Sequence, residues 1–295
     1  MKNTVFTGAA VAIVTPMNAD RSINFDRFRA LIDEQIDGGT DAIVVCGTTG
    51  ESPTLSHEEH TEIIRTAVSH TAGRVPVIAG TGSNETEYAL CLCKEAEEAG
   101  ADALLMVTPY YNKASQKGLV EHYNYIADNV NLPIILYNVP GRTGCNMSVA
   151  TYKTLAAHRN IVAVKEASGD ITKVAETMAA CGDMLDVYSG NDDQILPILA
   201  LGGAGIISVL SNISPRDTHD MCARFFEGDL AGARTLQLEY MELIGALFCD
   251  VNPIPVKEAM NLMGMDVGEC RRPLCSMDEA GKARLTAALK NLAMI

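Results

Sequence analysis

No apolar run in this sequence approaches the roughly 20 residues that a membrane-spanning helix needs. Basic side chains are also scarce: 23 Lys+Arg stand against 37 Asp+Glu, a formal net charge of −14. The first shortage argues against a membrane protein. The second argues against nucleic acid or an anionic lipid surface as partner, because phosphate-coated surfaces would be repelled. A local basic patch remains compatible with a small anionic metabolite. The nine cysteines are an odd number, Cys91 and Cys93 are two apart, and no Cys-x-x-Cys occurs. Neither a disulfide framework nor a zinc knuckle is supported, so reduced thiols and a cytoplasmic setting are expected. The amino-terminal end has one early lysine, Lys2, and a short apolar run, Ala9 to Val14, closed by Pro16. That is too short and too weakly charged for a secretory signal and reads as a first strand.

The composition, 47% hydrophobic and 20% charged, is that of a folded globular chain long enough for a sizeable core. Eight short apolar runs begin near Ala9, Ala42, Val75, Ala103, Pro133, Ile161, Leu185 and Ala204, at intervals of 19 to 33 residues. They are apolar at successive positions, as strands buried on both faces are. Helical patterns lie between them, such as Phe25–Asp37, Glu58–Thr71, Glu85–Ala99 and Leu119–Asn129, with Ser56 and Glu59 as a capping box before the second. Eight βα units predict a (β/α)8 TIM barrel over residues 1–228. An open doubly wound sheet fits less well: Gly80-Thr81-Gly82 lacks the third glycine of a dinucleotide fingerprint, and no Walker lysine appears. After Gly228 the alternation stops, and residues 229–295 predict a helical appendage with helices at Asp229–Phe248, Pro255–Met263 and Asp278–Leu292. Ser276 and Glu279 form a second candidate capping box.

In such a barrel the reactive groups sit where strands end and βα loops begin. Strand six ends in Lys165, after Ile161, Val162, Ala163 and Val164. A lysine rising from a buried strand is poorly hydrated, which disfavours its charged form and frees the amine for Schiff-base chemistry. The plainer reading is a lysine that snorkels from the rim or pairs with Glu166. The tetrapeptide around it recurs as Val256-Lys257-Glu258-Ala259, but there it opens a helix, where no desolvated pocket is implied. Tyr137 ends the neighbouring strand, about 4.8 Å away, within reach as a general acid/base or as a plain cap on the core. Thr48 and Thr49, between two glycines, suit a carboxylate, and so does Arg142 on the loop after strand five; each is also an ordinary turn or surface residue. His57 and His60 are three apart, not the four of a zinc-protease helix, and read as solvated surface histidines. No metal site is expected. No Gly-x-Ser-x-Gly elbow occurs.

Taken together, GTTGES at Gly47–Ser52, VIAGTG at Val77–Gly82, VTPYYN at Val107–Asn112, LYNVPGRTG at Leu136–Gly144, VKEASG at Val164–Gly169, GIISV at Gly205–Val209 and NPIPVK at Asn252–Lys257 resemble the dihydrodipicolinate synthase family of pyruvate-dependent class I aldolases. The resemblance runs nearly end to end. It implies a lyase that condenses pyruvate with (S)-aspartate-4-semialdehyde to 4-hydroxy-tetrahydrodipicolinate, the first committed step of diaminopimelate and lysine biosynthesis, with no cofactor beyond the covalent lysine adduct. By the same resemblance Lys165 forms the Schiff base, and Tyr137, Thr48 and a neighbouring subunit's Tyr111 relay protons. Thr49, Gly190 and the backbone near Ile207 would hold pyruvate, and Arg142 the semialdehyde carboxylate. A homotetramer built as a dimer of dimers is implied too. N-acetylneuraminate lyases and keto-deoxy-sugar aldolases share the lysine, the tyrosine and the Gly-x-x-Gly-Glu loop, and Arg142 with Tyr110 and Tyr111 favours the synthase over them. A binding barrel without turnover is the alternative of another class, and the intact Lys165 and Tyr137 argue against it. In lysine-inhibited members an allosteric pocket corresponds to Ser52, His57, His60, Asn84 and Tyr110. The glutamate that commonly completes it is Tyr88 here, and weakened or absent feedback by lysine is expected.

Overall fold

The computed structural model describes residues 4–295; Lys2 lies outside them. Eight parallel strands close into a barrel in sequence order: Gly8–Ala12 (β1), Ala42–Val45 (β2), Val77–Gly80 (β3), Ala103–Val107 (β4), Ile134–Asn138 (β5), Ile161–Glu166 (β6), Asp186–Ser189 (β7) and Gly205–Ser208 (β8). Closure depends on a glycine. Gly205, at φ 153°, pairs with Gly8 across the β8–β1 seam, and a Cβ there would stand 1.9 Å from the Gly8 carbonyl oxygen.

Strand alternation divides the apolar residues into two layers. Ala10, Ala12, Ala42, Val44, Ile78, Ala103, Leu105, Ile135, Tyr137, Ala163, Tyr188 and Ile207 fill the interior, with Phe6 stacked on Tyr188 at 4.2 Å. Val11, Ile43, Val45, Leu104, Met106, Leu136, Val164 and Val187 face the surrounding helices instead. Eight strands fix a narrow interior that small residues such as alanine help to fill, while the branched residues outside carry the larger apolar interface. Both faces are therefore dry, which is why the strands read as continuous apolar runs.

The helices alternate with the strands: Phe25–Asp37 (α1), His57–Thr71 (α2), Thr86–Ala99 (α3), Gln116–Asp128 (α4), Pro140–Thr143 (α5), Val149–Leu155 (α6), Ile171–Cys181 (α7), Ile195–Ala200 (α8) and Pro215–Phe226 (α9). The capping box at Ser56 and Glu59 is present, with both reciprocal hydrogen bonds. Beyond residue 228 come Leu230–Glu239 (α10), Met241–Leu247 (α11), Ile254–Leu262 (α12) and Glu279–Asn291 (α13). Two expectations are corrected here. The single helix read over 229–248 breaks at Tyr240, whose buried phenol is tied to Ser214 and Asp217 at the start of α9. The last helix is capped by Asp278, which accepts from the Gly281 amide at 2.7 Å. The helix starts at Glu279 itself, so Ser276 lies two residues before the cap, and its hydroxyl faces Glu269. No helix among the described residues is long and apolar enough to cross a membrane.

Candidate active site

At the C-terminal mouth of the barrel lies a cavity of about 60 Å³, walled by Thr48, Thr49, Tyr137, Arg142, Lys165 and Gly190, among others. The register of β5 and β6 sets Tyr137 opposite Lys165. The two side chains share the inner face, and the Lys165 Nζ sits 4.5 Å from the centre of the Tyr137 ring. Alternation sends the next residue the other way. Glu166 points outward, where it accepts from the Tyr152 hydroxyl at 2.7 Å and from Asn138 at 2.9 Å and lies 3.2 Å from the Lys173 ammonium. The plainer sequence reading, Lys165 paired with Glu166, is thus ruled out by strand geometry.

Lys165 is buried, and desolvation lowers its pKa to about 8; the Asp192 carboxylate opposes that fall and the Arg142 guanidinium adds to it. Asp192 is itself fully enclosed and accepts from the Ser208 hydroxyl at 2.5 Å and from the Val209 and Leu210 amides. Burial raises the Tyr137 phenol, while nearby Arg142 and a hydrogen bond with Thr48 pull it down. An amine that loses its proton more readily than an ordinary lysine, a phenol and a threonine hydroxyl therefore line the cavity together with a guanidinium. In its neutral form an amine so placed can attack a ketone carbon, and a phenol and a hydroxyl beside it can pass protons.

Gly190 has a plain steric role beneath the lysine. A Cβ at that position would lie 2.6 Å from the Ala167 Cβ and 3.2 Å from the Lys165 Cε. A side chain at Gly190 would collide with Ala167 and crowd the aliphatic stem of the lysine.

The family to which the site belongs is decided by comparison with known proteins. A model of the dihydrodipicolinate synthetase family matches residues 5–292. The chain belongs to that family. Among similar proteins, the 4-hydroxy-tetrahydrodipicolinate synthase of Lachnoclostridium phytofermentans is 58% identical over 292 residues, 99% of each chain. That of Acetivibrio thermocellus is 52% identical over 295 residues, the whole of both. Among solved structures, the chloride-inhibited dihydrodipicolinate synthase of Acinetobacter baumannii, complexed with pyruvate, superposes with a TM-score of 0.96 at 44% identity, covering 99% of this chain and 100% of that one.

As in the expectation drawn from the dihydrodipicolinate synthase motifs, the fold brings Thr48, Thr49, Tyr137, Arg142, Lys165 and Gly190 to one cavity. Ile207 lies deeper, fully buried in the barrel interior, and Val209 forms the wall there. Tyr111 is 88% exposed and stands away from the cavity of its own chain. Of the residues grouped as an allosteric pocket, Ser52 opens a 3-10 turn, Tyr88 and Tyr110 are exposed, and the Asn84 carbonyl accepts from Asn112. His60 departs from the solvated histidine expected. It turns inward from α2 onto β3, its Nε2 is 2.8 Å from the Gly80 carbonyl, and burial lowers its pKa.

Lys257 also departs from expectation. It is 2% exposed, against 6% for Lys165, yet it is fully partnered. Its ammonium donates to Glu51 Oε1 at 2.9 Å and to the carbonyls of Thr15 and Glu269 at 3.1 and 3.0 Å. Three acceptors use all three N–H groups. Lys165 instead faces a ring and the field of a carboxylate. Burial is common to both copies of the tetrapeptide; a full set of hydrogen-bond acceptors belongs only to the second.

Sequence reasoning missed Asn252, Phe248 and Asp192. Asn252, from the appendage, donates to the Thr49 hydroxyl at 2.9 Å and accepts from Arg142 through its carbonyl at 3.3 Å. Its place in NPIPVK was visible, but nothing local shows that residue 252 returns to residue 49.

Proposed function

We infer that this chain condenses pyruvate with aspartate 4-semialdehyde through a Schiff base on Lys165. The observation that carries the reading is a buried lysine amine, its pKa lowered by desolvation, beside Tyr137 in a chain of this family. The neutral Lys165 amine adds to C2 of pyruvate, and the carbinolamine loses water to give the Schiff base. A methyl proton then leaves, and the resulting enamine attacks the aldehyde carbon, forming the new carbon–carbon bond. The amino group of the former semialdehyde closes on C2 and expels Lys165, regenerating the free amine. Tyr137 and Thr48 carry protons in these steps, with Tyr111 reaching a neighbouring copy's relay. Its exposure in the single chain suits such a role. Thr49 and the adjoining amides hold the pyruvate carboxylate, and the Arg142 fork holds that of the semialdehyde. The protonated Schiff base is the electron sink, so the steps as written call on no metal or nucleotide. We further assign the protein to the cytoplasm, with which its nine free cysteines agree, and, from its membership of the family alone, to a homotetramer.

Borohydride reduction in the presence of pyruvate, followed by peptide mass spectrometry, tests the proposal. A pyruvyl adduct is expected on Lys165 and not on Lys257, and it should vanish in Lys165→Ala. An adduct elsewhere, or none in folded protein, would overturn the amine mechanism. Turnover with aspartate semialdehyde and not with sugar-derived aldehydes is the result expected of the substrate assignment.

A further inference from the structure

Away from the barrel mouth, the first turn of α2 faces the middle of α3. His57 stands at the start of α2, and Cys91 and Glu95 are one turn apart on the facing side of α3. The imidazole Nε2 lies 2.9 Å from Glu95 Oε1, the Cys91 Sγ lies 3.7 Å from the same oxygen, and one donor atom from each residue falls within 4.8 Å of the others. A tetrahedral zinc ion with ordinary bond lengths holds N, O and S ligands about 3.3–3.5 Å apart. The three groups are therefore within about 1.5 Å of a ligand face before any cation arrives.

Two further features suit a cation. The other Glu95 oxygen accepts from the Thr61 hydroxyl at 2.6 Å, which fixes the carboxylate plane and leaves Oε1 turned toward His57 and Cys91. Cys91 is exposed and His57 half-buried, so an entry path and a fourth coordination position remain open to water. The ligand set is one thiolate, one imidazole and one carboxylate. It neutralises a divalent charge and selects a borderline-soft ion over calcium or magnesium, which prefer oxygen.

We propose that His57, Cys91 and Glu95 form a surface site for a single zinc-like divalent cation that pins α2 to α3. The site is separate from the Schiff-base chemistry and stands or falls independently of it. On binding, the cation takes up the Cys91 sulfur as thiolate and the thiol proton passes to solvent; no redox change occurs.

The test uses cobalt(II) added to the full-length protein under a thiol-free reductant, read by absorption and by competition with a chromophoric chelator. The expected result is one cobalt per chain, with a thiolate-to-cobalt charge-transfer band that zinc bleaches. Cys91→Ser should abolish the band and weaken zinc binding at least 100-fold, with aldol activity and far-ultraviolet dichroism unchanged. Cys275→Ser, which removes another exposed thiol, should leave the band intact. Absence of the band in the parent protein, or a band that survives Cys91→Ser, would overturn the proposal.

Discussion

Replacing Lys165 with methionine removes the amine and leaves a side chain of similar length in the same dry channel. The folded protein holds this lysine at a pKa of about 8 against an ordinary 10.5, mainly because burial strips its hydration. That gap corresponds to about 3 kcal/mol between the protonation states. The sign follows from linkage. Below pH 8 the unfolded chain binds the proton readily and the folded chain does so at a cost, so folding carries the full penalty. Between about pH 8 and 10.5 the folded amine is neutral while the unfolded one still binds its proton, and the penalty shrinks with rising pH. Lys165→Met should therefore be the more stable protein at pH 7, by up to about 3 kcal/mol, and by only about 1 kcal/mol at pH 10. For a chain of this size the neutral-pH gain is roughly 5 °C in Tm. Paired thermal or urea unfolding curves at the two pH values measure it, with borohydride trapping to confirm that the adduct is lost. A methionine variant no more stable than the parent at pH 7, or a margin equal at both pH values, would refute the claim that desolvation of Lys165 outweighs what its neighbours return. The same shift leaves roughly one-tenth of the amines neutral at pH 7, where an ordinary lysine has fewer than one in a thousand.

The other buried lysine should behave in the opposite way: Lys257→Met strands Glu51 without its partner and is expected to cost about 3–5 kcal/mol, read as a Tm lowered by roughly 5–10 °C. The double replacement Lys257→Met with Glu51→Leu should recover much of that loss, and a single variant as stable as the parent would show the pair to be inert. Asn252→Ala removes the donor to Thr49 and should raise the KM for pyruvate about 5–10-fold, as expected for roughly 1 kcal/mol of hydrogen bonding, with the Schiff base still trapped on Lys165. Tyr88 supplies no carboxylate for an effector ammonium, so steady-state rates should be nearly flat in added lysine; a potent, saturable inhibition curve would contradict this.

The barrel was legible because each strand is buried on both faces and each is followed by an amphipathic helix; Phe25–Asp37 matches its predicted bounds. Lys165 and Tyr137 could be found because adjacent strands place strand-end residues side by side, a short-range rule. Lys257 and Asn252 were misread or missed for the converse reason. Their partners lie 206 and 203 residues away, and local pattern carries no sign of such contacts. The helix break at Tyr240 belongs to the same class, since Ser214 and Asp217 impose it from another element. His60 was misjudged because its inward turn depends on where α2 packs, which the histidine spacing alone does not show.

The buried pair of Lys257 and Glu51 has a consequence in time as well as in space. Glu51 closes the Gly47–Gly50 loop, and it is also held by the Arg271 amide at 2.7 Å. Thr49 in that loop is held by Asn252. During synthesis, at about 5–20 residues per second, Lys165 is made several seconds or more before these anchors exist. The barrel strands can all be in place while the loop that grips a keto acid is still unfastened. A chain stopped short of residue 252 would own the reactive amine without the cradle beside it, so competence for the reaction waits on the segment from Asn252 to Arg271.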